Sequence, residues 1–398
     1  MYFKTSSKYE CSACTACEHT CPVQAIKFSP DEDGFLYPSI DKEKCINCSL
    51  CERVCPVDHP SYKNNEAPEV YAAMIKDVDQ RKNSSSGGIF YAIASWIIDN
   101  GGKVYGATMD ENHQVKHIGV DTYEELYFLR GSKYVQSNLL SIFLDIKNQL
   151  KNGRWCYFVG TGCQVAGLKA YLCKDYDRLL TSDLVCHGVP SQWIFNQHIT
   201  YLEDKYKGKV SGYYFRNNEA WGGAEIFRIT TPKGKVKKYK FPSYDLSPYL
   251  YSFMQSMTLR YACYDCKFAC VPRQGDITLA DYWGASKLLA DKDTEKGVSL
   301  VLTNTPLGKE IWDIIKRNCI YVQSSIEDAA RENGNLVNTT KMPDIRSRCY
   351  REIQSRGYKD VAHHEFRCDN YLTNKIKQSI LHSSIRPFIL QIRSIFKD

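Results

Sequence analysis

Two stretches of the sequence repeat one another at an offset of 34 residues: Cys11-Ser-Ala-Cys14-Thr-Ala-Cys17-Glu-His-Thr-Cys21-Pro22 and Cys45-Ile-Asn-Cys48-Ser-Leu-Cys51-Glu-Arg-Val-Cys55-Pro56. The run C-x2-C-x2-C-x3-C-P is the spacing that holds [4Fe-4S] cubes through thiolates. Three cysteines two residues apart let a tight loop wrap three corners of one cube. The fourth, followed by proline, is directed to the other cube. The spacing therefore assigns Cys11, Cys14, Cys17 and Cys55 to one cluster, and Cys45, Cys48, Cys51 and Cys21 to a second. Structural zinc, the competing use of cysteine, pairs two C-x2-C knuckles across a longer loop and does not call for two such runs. His19, inside the first run, reads as a surface residue rather than a ligand.

The chain has 398 residues and 18 cysteines, seven of them between Cys156 and Cys270 and three more (Cys319, Cys349, Cys368) further on. In a reducing cytosol clustered thiols point to metal or redox work rather than disulfides. A composition of 43% apolar and 24% charged residues excludes a mostly disordered chain. The first ten residues carry no signal-peptide pattern, and the apolar run from Ile89 to Ile98 falls short of the roughly 20 residues that span a bilayer. A cytoplasmic location is expected. The formal charge of +7 is scattered rather than gathered into a basic run. Oxidised cubes at about −2 each would offset most of it, so no nucleic-acid partner is expected.

The elements that must position these residues follow a simple order. A turn at Asp31-Glu-Asp-Gly34 suits a short hairpin between the runs, giving a small ferredoxin-like α+β domain over 1–60. His59 to Glu69, polar and containing Pro60 and Pro68, reads as a linker. From 70 to 340 strand-like and helix-like stretches alternate. Val70–Lys76, Lys103–Met109, Gln114–Val120, Trp155–Val159 and Leu179–Val185 are expected strands. Gly88–Asp99, Asp121–Leu129 (capped by Asp121 and Glu124), Ser137–Lys151 and Cys163–Leu172 are expected helices. This predicts an α/β domain on a mostly parallel sheet, with an antiparallel insertion of strands Tyr213–Arg216, Glu225–Thr231 and Lys235–Phe241.

Three loops in this domain suit a cofactor. Ser84-Ser-Ser86-Gly87-Gly88 offers N–H groups and hydroxyls to a phosphate. Gly131-Ser132-Lys133-Tyr134-Val135-Gln136-Ser137 adds a cation, an aromatic face and an amide. Val159-Gly160-Thr161-Gly162-Cys163-Gln164 joins a strand to a helix, where a nucleotide sits in an open sheet, and brings in Gly160 and Thr161. None is a GxGxxG fingerprint or a P-loop. Each alone reads as a turn; together, beside a cysteine-rich site, they carry more weight. Asp183-Leu-Val-Cys186-His187-Gly188 places Cys186 at a strand end. Cys263 and Cys266 form one knuckle that needs two more ligands, with Cys163, Cys186 and Cys270 available.

The combination of SSSGG, GSKYVQS, GTGCQVAG, DLVCHGVPS, CYDC and GDITLADYWG, from about Val70 to Asn318, resembles the beta-subunit family of coenzyme F420-reducing hydrogenases and dehydrogenases, here behind a ferredoxin module. The resemblance implies an α/β flavin-binding domain holding FAD beside a four-iron cluster, which passes electrons between a two-electron carrier and one-electron clusters. It implies flavin contacts from Ser86, Gly87, Gly88, Ser132, Lys133, Tyr134 and Gln136. It makes Cys163, Cys186, Cys263 and Cys266 the ligands of a third cluster, since family members usually lack a cysteine at the position of Cys270. They also more often carry proline where this chain has Gly162. Chlorophyll-cycle reductases with the same core show that the family is not tied to one substrate.

The expected function is an iron–sulfur flavoprotein oxidoreductase. Cubes carry single electrons and a flavin one or two, so joining them lets hydride chemistry meet a one-electron donor. The expected partners are a donor or acceptor protein such as ferredoxin, and a small-molecule substrate or deazaflavin-like carrier. Lys133 and His187 are placed to stabilise reduced-flavin charge or move protons, with a structural role equally open. The alternative is a non-catalytic electron-transfer subunit serving a partner reductase; a zinc-bound nucleic-acid protein is a more distant rival. Residues 341–398 read as a helical tail whose basic amphipathic stretch, Asn370 to Asp398, is kinked at Pro387. Packing of its apolar stripe on the body is favoured over contact with a membrane surface. His363 and His364 are expected to be exposed.

Overall fold

The computed structural model describes residues 2–216, 225–241, 243–289 and 293–366. The expected helix from Asn370 to Asp398 lies outside the described residues. In the amino-terminal segment, β1 (Ile26–Pro30) and β2 (Leu36–Ile40) form an antiparallel hairpin. Asp31 Oδ1 closes its turn by accepting from the N–H groups of Asp33 (3.1 Å) and Phe35 (2.8 Å), with Gly34 at φ +78°. The internal repeat is also a repeat of backbone. Ala13 and Thr15 in the first cysteine loop, and Asn47 and Ser49 in the second, all have φ between +53° and +63°. Left-handed backbone costs a non-glycine residue roughly 1–2 kcal/mol, and such strain collects where a site over-determines it. Short helices, Ala16–Thr20 and Leu50–Arg53, follow the two loops.

The rest of the described chain supplies β3 (Glu69–Ile75), β4 (Lys103–Met109), β5 (Val115–Val120), β6 (Cys156–Thr161), β7 (Leu179–Leu184), β8 (Lys209–Tyr214), β9 (Ile226–Thr230), β10 (Val236–Lys240), β11 (Ile277–Asp281), β12 (Ser299–Thr303) and β13 (Cys319–Ser324). Eight of these strands form one sheet in the order β13-β3-β12-β11-β7-β6-β4-β5. The expectation of a mostly parallel sheet is corrected: β4, β6, β7 and β11 pair in parallel, whereas β5, β12, β3 and β13 join antiparallel. The helix Pro306–Ile315 carries the chain from β12 over to β13, and β3 slots between them running the other way. Hydrophobic pattern marks β3 as buried on both faces but says nothing of its direction. Its side chains alternate as the pleat requires. Tyr71, Ala73 and Ile75 meet the helix Ile89–Asp99 and Trp312 on one face, while Val70, Ala72 and Met74 meet Leu300, Leu302 and Ala329 on the other.

The antiparallel insertion forms as expected, a three-stranded sheet in the order β10-β9-β8. Tyr213 and Phe227 pack with Phe195 of the helix Gln192–Tyr206. Two helices are shorter than the sequence suggests. Ile142–Lys151 starts late because Asn138 bonds to the edge strand instead, its N–H donating to Val115 O (3.0 Å) while its carbonyl accepts from His117 (2.8 Å). Between Asp121 and Leu129 only Leu126–Leu129 is helical, and the local cap uses Thr122 and Glu125 rather than Asp121 and Glu124.

The amino-terminal segment is docked on the large sheet domain. Asp33 at the hairpin tip is buried and pairs with Arg346, whose Nη1 and Nη2 each lie 3.1 Å from its Oδ2. Ser191 Oγ donates to Asp33 O at 2.7 Å. The stretch read as a linker is tied down as well. Asn64 Nδ2 donates to Gly275 O (2.8 Å), Tyr62 Oη to Lys267 O (2.8 Å), and Asn65 N to Asn304 O (3.0 Å). Its polarity serves hydrogen bonds to the domain. Among the described residues no helix is long and apolar enough to cross a membrane.

Candidate iron–sulfur and cofactor site

The first loop and the end of the second converge. Cys11, Cys14, Cys17 and Cys55 each lie within electrostatic reach of the other three, around a small cavity they share with Phe28, Pro38 and Pro56. Cys17 also senses Cys51, and Cys51 senses Cys48. Cys21 Sγ accepts the Ala25 N–H at 3.2 Å, and Cys45 Sγ lies 3.7 Å from Asn47 Oδ1. His19, expected at the surface, is half-buried. Its ring lies against Phe143 and Tyr171, and its Nδ1 is 3.0 Å from Thr15 O, so it serves the packing of the segment onto the domain.

A second convergence lies at the carboxyl ends of β6 and β7. Cys163 begins the helix Gly162–Leu172, Cys186 follows β7, and Cys263 and Cys266 come from the knuckle. Every pair of these four is within electrostatic reach. They line one cavity with Arg260, Arg273 and Phe268. Cys270 does not line that cavity: its main neighbours are Arg273 and Asp183, and its Sγ lies 3.4 Å from Lys267 O. The two convergences meet where Cys14 senses Cys163. Gly167, one helical turn beyond Cys163, is what allows that approach, since a Cβ there would fall 2.7 Å from Cys14 Cβ.

The donor chemistry fits iron–sulfur cubes. Burial is the main force raising these thiols, pushing Cys14, Cys17 and Cys263 well above the usual range, Cys186 up to about 12 and Cys266 up to about 11. Bare thiols in such a place stay protonated; a cationic core is what makes them thiolates. Among the described residues no three His, Cys, Asp or Glu side chains close on a single metal ion. A cube, whose ligands sit at separate corners, needs a wider set. Cys156, Cys319 and Cys349 are buried and each pushed up to about 12, the setting of inert core thiols.

A larger cavity of about 550 Å³ adjoins the second convergence and shares Thr161, Cys163, Leu184, Cys186 and Gly188 with it. Ser86, Gly88, Ser132, Lys133, Tyr134, Gln136, Gly160 and Thr161 all line it. Gly87 does not; a Cβ there would fall 2.3 Å from Ala73 O, so its role is to press the serine loop onto β3. Gln136 has both ends of its amide engaged, Nε2 donating to Ser12 O (3.0 Å) and Oε1 accepting from Arg260 (3.2 Å). Lys133 Nζ donates to the carbonyls of Arg130 (2.7 Å) and Phe128 (3.1 Å), and burial pulls it down to about 7. His187, lowered by burial, lies between Asn335 Oδ1 and Phe253 O.

Sequence reasoning missed His117. Its Nε2 donates to Val159 O at 3.0 Å, burial lowers it to about 4, and its Nδ1 is buried without a partner on the cavity wall. Arg130 Nε, Arg216 Nη2 and Asn333 Nδ2 also border this cavity, buried and without hydrogen-bond partners among the described residues. Orphaned polar atoms facing a cavity of this size fit a polar ligand with several acceptors. Burial and ring contacts, not sequence spacing, identify them.

Comparison with known proteins agrees with this arrangement. Residues 10–59 match the 4Fe-4S dicluster domain, and residues 153–328 match the family described as the C terminus of the coenzyme F420 hydrogenase/dehydrogenase beta subunit. No curated protein sequence matches. Among solved structures, a chain of the F420-reducing [NiFe] hydrogenase complex from Methanosarcina barkeri is similar at 19% identity, over 75% of this chain and 97% of that one, with a TM-score of 0.45. The chain therefore belongs to the coenzyme F420 hydrogenase/dehydrogenase beta-subunit family, with a 4Fe-4S dicluster domain in front.

Proposed function

We propose that this chain is an FAD-dependent iron–sulfur oxidoreductase whose four sites form one line. The cysteines at 45, 48, 51 and 21 stand at one end, followed by those at 11, 14, 17 and 55, then those at 163, 186, 263 and 266, and finally a flavin in the large cavity. The approach of Cys14 to Cys163 carries this reading, because it makes the two cysteine systems one. Bound FAD would supply the change from single electrons to a two-electron transfer.

The residues have distinct tasks. The Ser84–Gly88 loop and Arg130 suit the phosphates, with the Arg130 guanidinium held by Gln80 O (2.8 Å). His117 Nδ1 accepts a hydrogen bond from the ligand, because its other nitrogen is committed to Val159. Lys133, close to neutral pH in its ionisation, holds or releases a proton beside the cavity. Arg216, paired with Asp281 at 2.6 Å beneath Trp283, leaves room at the cavity wall for an organic acceptor or a two-electron carrier such as a deazaflavin.

Anaerobically purified protein should contain about twelve irons, matching sulfide and one FAD. Reduced ferredoxin should bleach the flavin, and Cys163→Ala should abolish that bleaching while direct chemical reduction of the flavin persists. About eight irons and no flavin would overturn the proposal. The second reading, a subunit that only delivers electrons, is favoured by the family's own description as a beta subunit. It predicts no turnover of any small acceptor until a partner protein is added.

A further inference from the structure

Four arginines are buried in the described structure: Arg81, Arg260, Arg273 and Arg346. Three have a carboxylate: Asp293 at 3.2 Å for Arg81, Asp183 at 2.7 Å for Arg273 and Asp33 at 3.1 Å for Arg346. Arg260, 1% exposed, has none among the described residues. Its Nε donates to Cys11 O (2.6 Å), Nη2 to Leu36 O (3.0 Å) and Nη1 to Gln136 Oε1 (3.2 Å), all neutral acceptors. Its guanidinium lies 4.1 Å over the Tyr37 ring. A guanidinium stays charged in a protein, and a buried charge without a counter-charge is costly.

The position of this charge explains it. Arg260 is bonded to the carbonyl of one cysteine in the first convergence, stands three residues before Cys263 and lines the cavity of the second convergence. It favours the thiolate of Cys163 through space. Arg273 lines the same cavity, but Asp183 cancels its charge.

We propose that Arg260 is a positioning residue whose uncancelled charge sits between the Cys11-Cys14-Cys17-Cys55 and Cys163-Cys186-Cys263-Cys266 sites and raises the reduction potential of the clusters held there. This rests on the relay reading above. The counter-charge of Arg260 is the pair of anionic clusters, and each added electron is stabilised by it. The Cys45-Cys48-Cys51-Cys21 site, without a bond to Arg260, is the internal control.

The test is an EPR-monitored potentiometric titration of the anaerobic holoprotein, with iron and sulfide measured first. Arg260→Gln should lower the reduction equilibrium constant of both flanking clusters at least tenfold, a shift of about 59 mV for one electron. Arg260→Lys, which keeps the charge, should recover most of it, and the third signal should barely move. Gln136→Glu, which sets a carboxylate against Nη1, should shift the same two clusters in the same direction and decides the matter if Arg260→Gln loads poorly. Unchanged potentials in these neutralised proteins, or a shift in Arg260→Lys as large as in Arg260→Gln, would overturn the proposal. Wild-type protein lacking clusters would instead sink the relay.

Discussion

Gly167 and Cys14 touch across the join between the two cysteine systems: a Cβ on Gly167 would fall 2.7 Å from Cys14 Cβ and 3.0 Å from its Sγ. The obstacle is the ligand loop itself, so little can give way. Gly167→Ala is expected to destabilise the protein by about 1–3 kcal/mol through overpacking. The same change should slow electron passage from ferredoxin to flavin, because the helix must move off the loop. Thermal unfolding and stopped-flow flavin bleaching measure the two effects; a substitution silent in both would contradict the close approach.

Cys266 and Cys270 are four residues apart and have opposite expectations. Cys266→Ala should lower iron from about twelve to about eight per chain, the loss of one cube. Cys270→Ala should leave iron unchanged, since its thiol faces Arg273 and Asp183 instead of the other three. Iron and acid-labile sulfide analysis of the two proteins decides it. The reverse pattern would move the fourth ligand.

Lys133 gives a pH dependence with a defined sign. Burial lowers it to about 7, so it is charged below that value and neutral above it. An anionic flavin bound beside it should bind more weakly as pH rises through about 7, the charge being lost there. Lys133→Met should be weaker at low pH and nearly flat. The unfolded lysine titrates near 10.4, so the unfolded chain holds more protons between these values. This group therefore adds stability as pH rises from about 7. Flavin fluorescence quenching across the neutral range reads the first effect.

Asp33 is the buried partner of Arg346. Asp33→Asn leaves that guanidinium buried without a counter-charge, a change that costs about 3–5 kcal/mol in comparable pairs. The loss should show first as loosened docking of residues 2–60, read by limited proteolysis after the second cysteine run. Equal protease resistance in the wild type and Asp33→Asn would refute the role of the pair.

Local chemistry was legible from sequence and tertiary geometry was not. The 34-residue repeat carried the loop geometry, so even the left-handed residues recur in register at 13 and 47, and at 15 and 49. The three-stranded insertion and the helix Gly162–Leu172 follow from periodicity and a Thr161–Gln164 cap. The direction of β3 was illegible because a strand buried on both faces reads the same either way. His117 and Arg260 carried no motif; their meaning comes from what lies opposite them in space. The stretch from 59 to 69 looked like a spacer because its polar side chains, bonded to the domain, have the composition of a solvated loop.

The clamped hairpin tip has a further consequence. A carrier on a flexible tether works by swinging, and its throughput falls when the medium thickens. Here Asp33, Gly34 and the stretch after Cys55 are all anchored, so the distance from Cys14 to Cys163 is set once, when the chain folds. Any current along that path crosses a gap of constant width, and viscosity can slow only the arrival of the donor and the departure of the product.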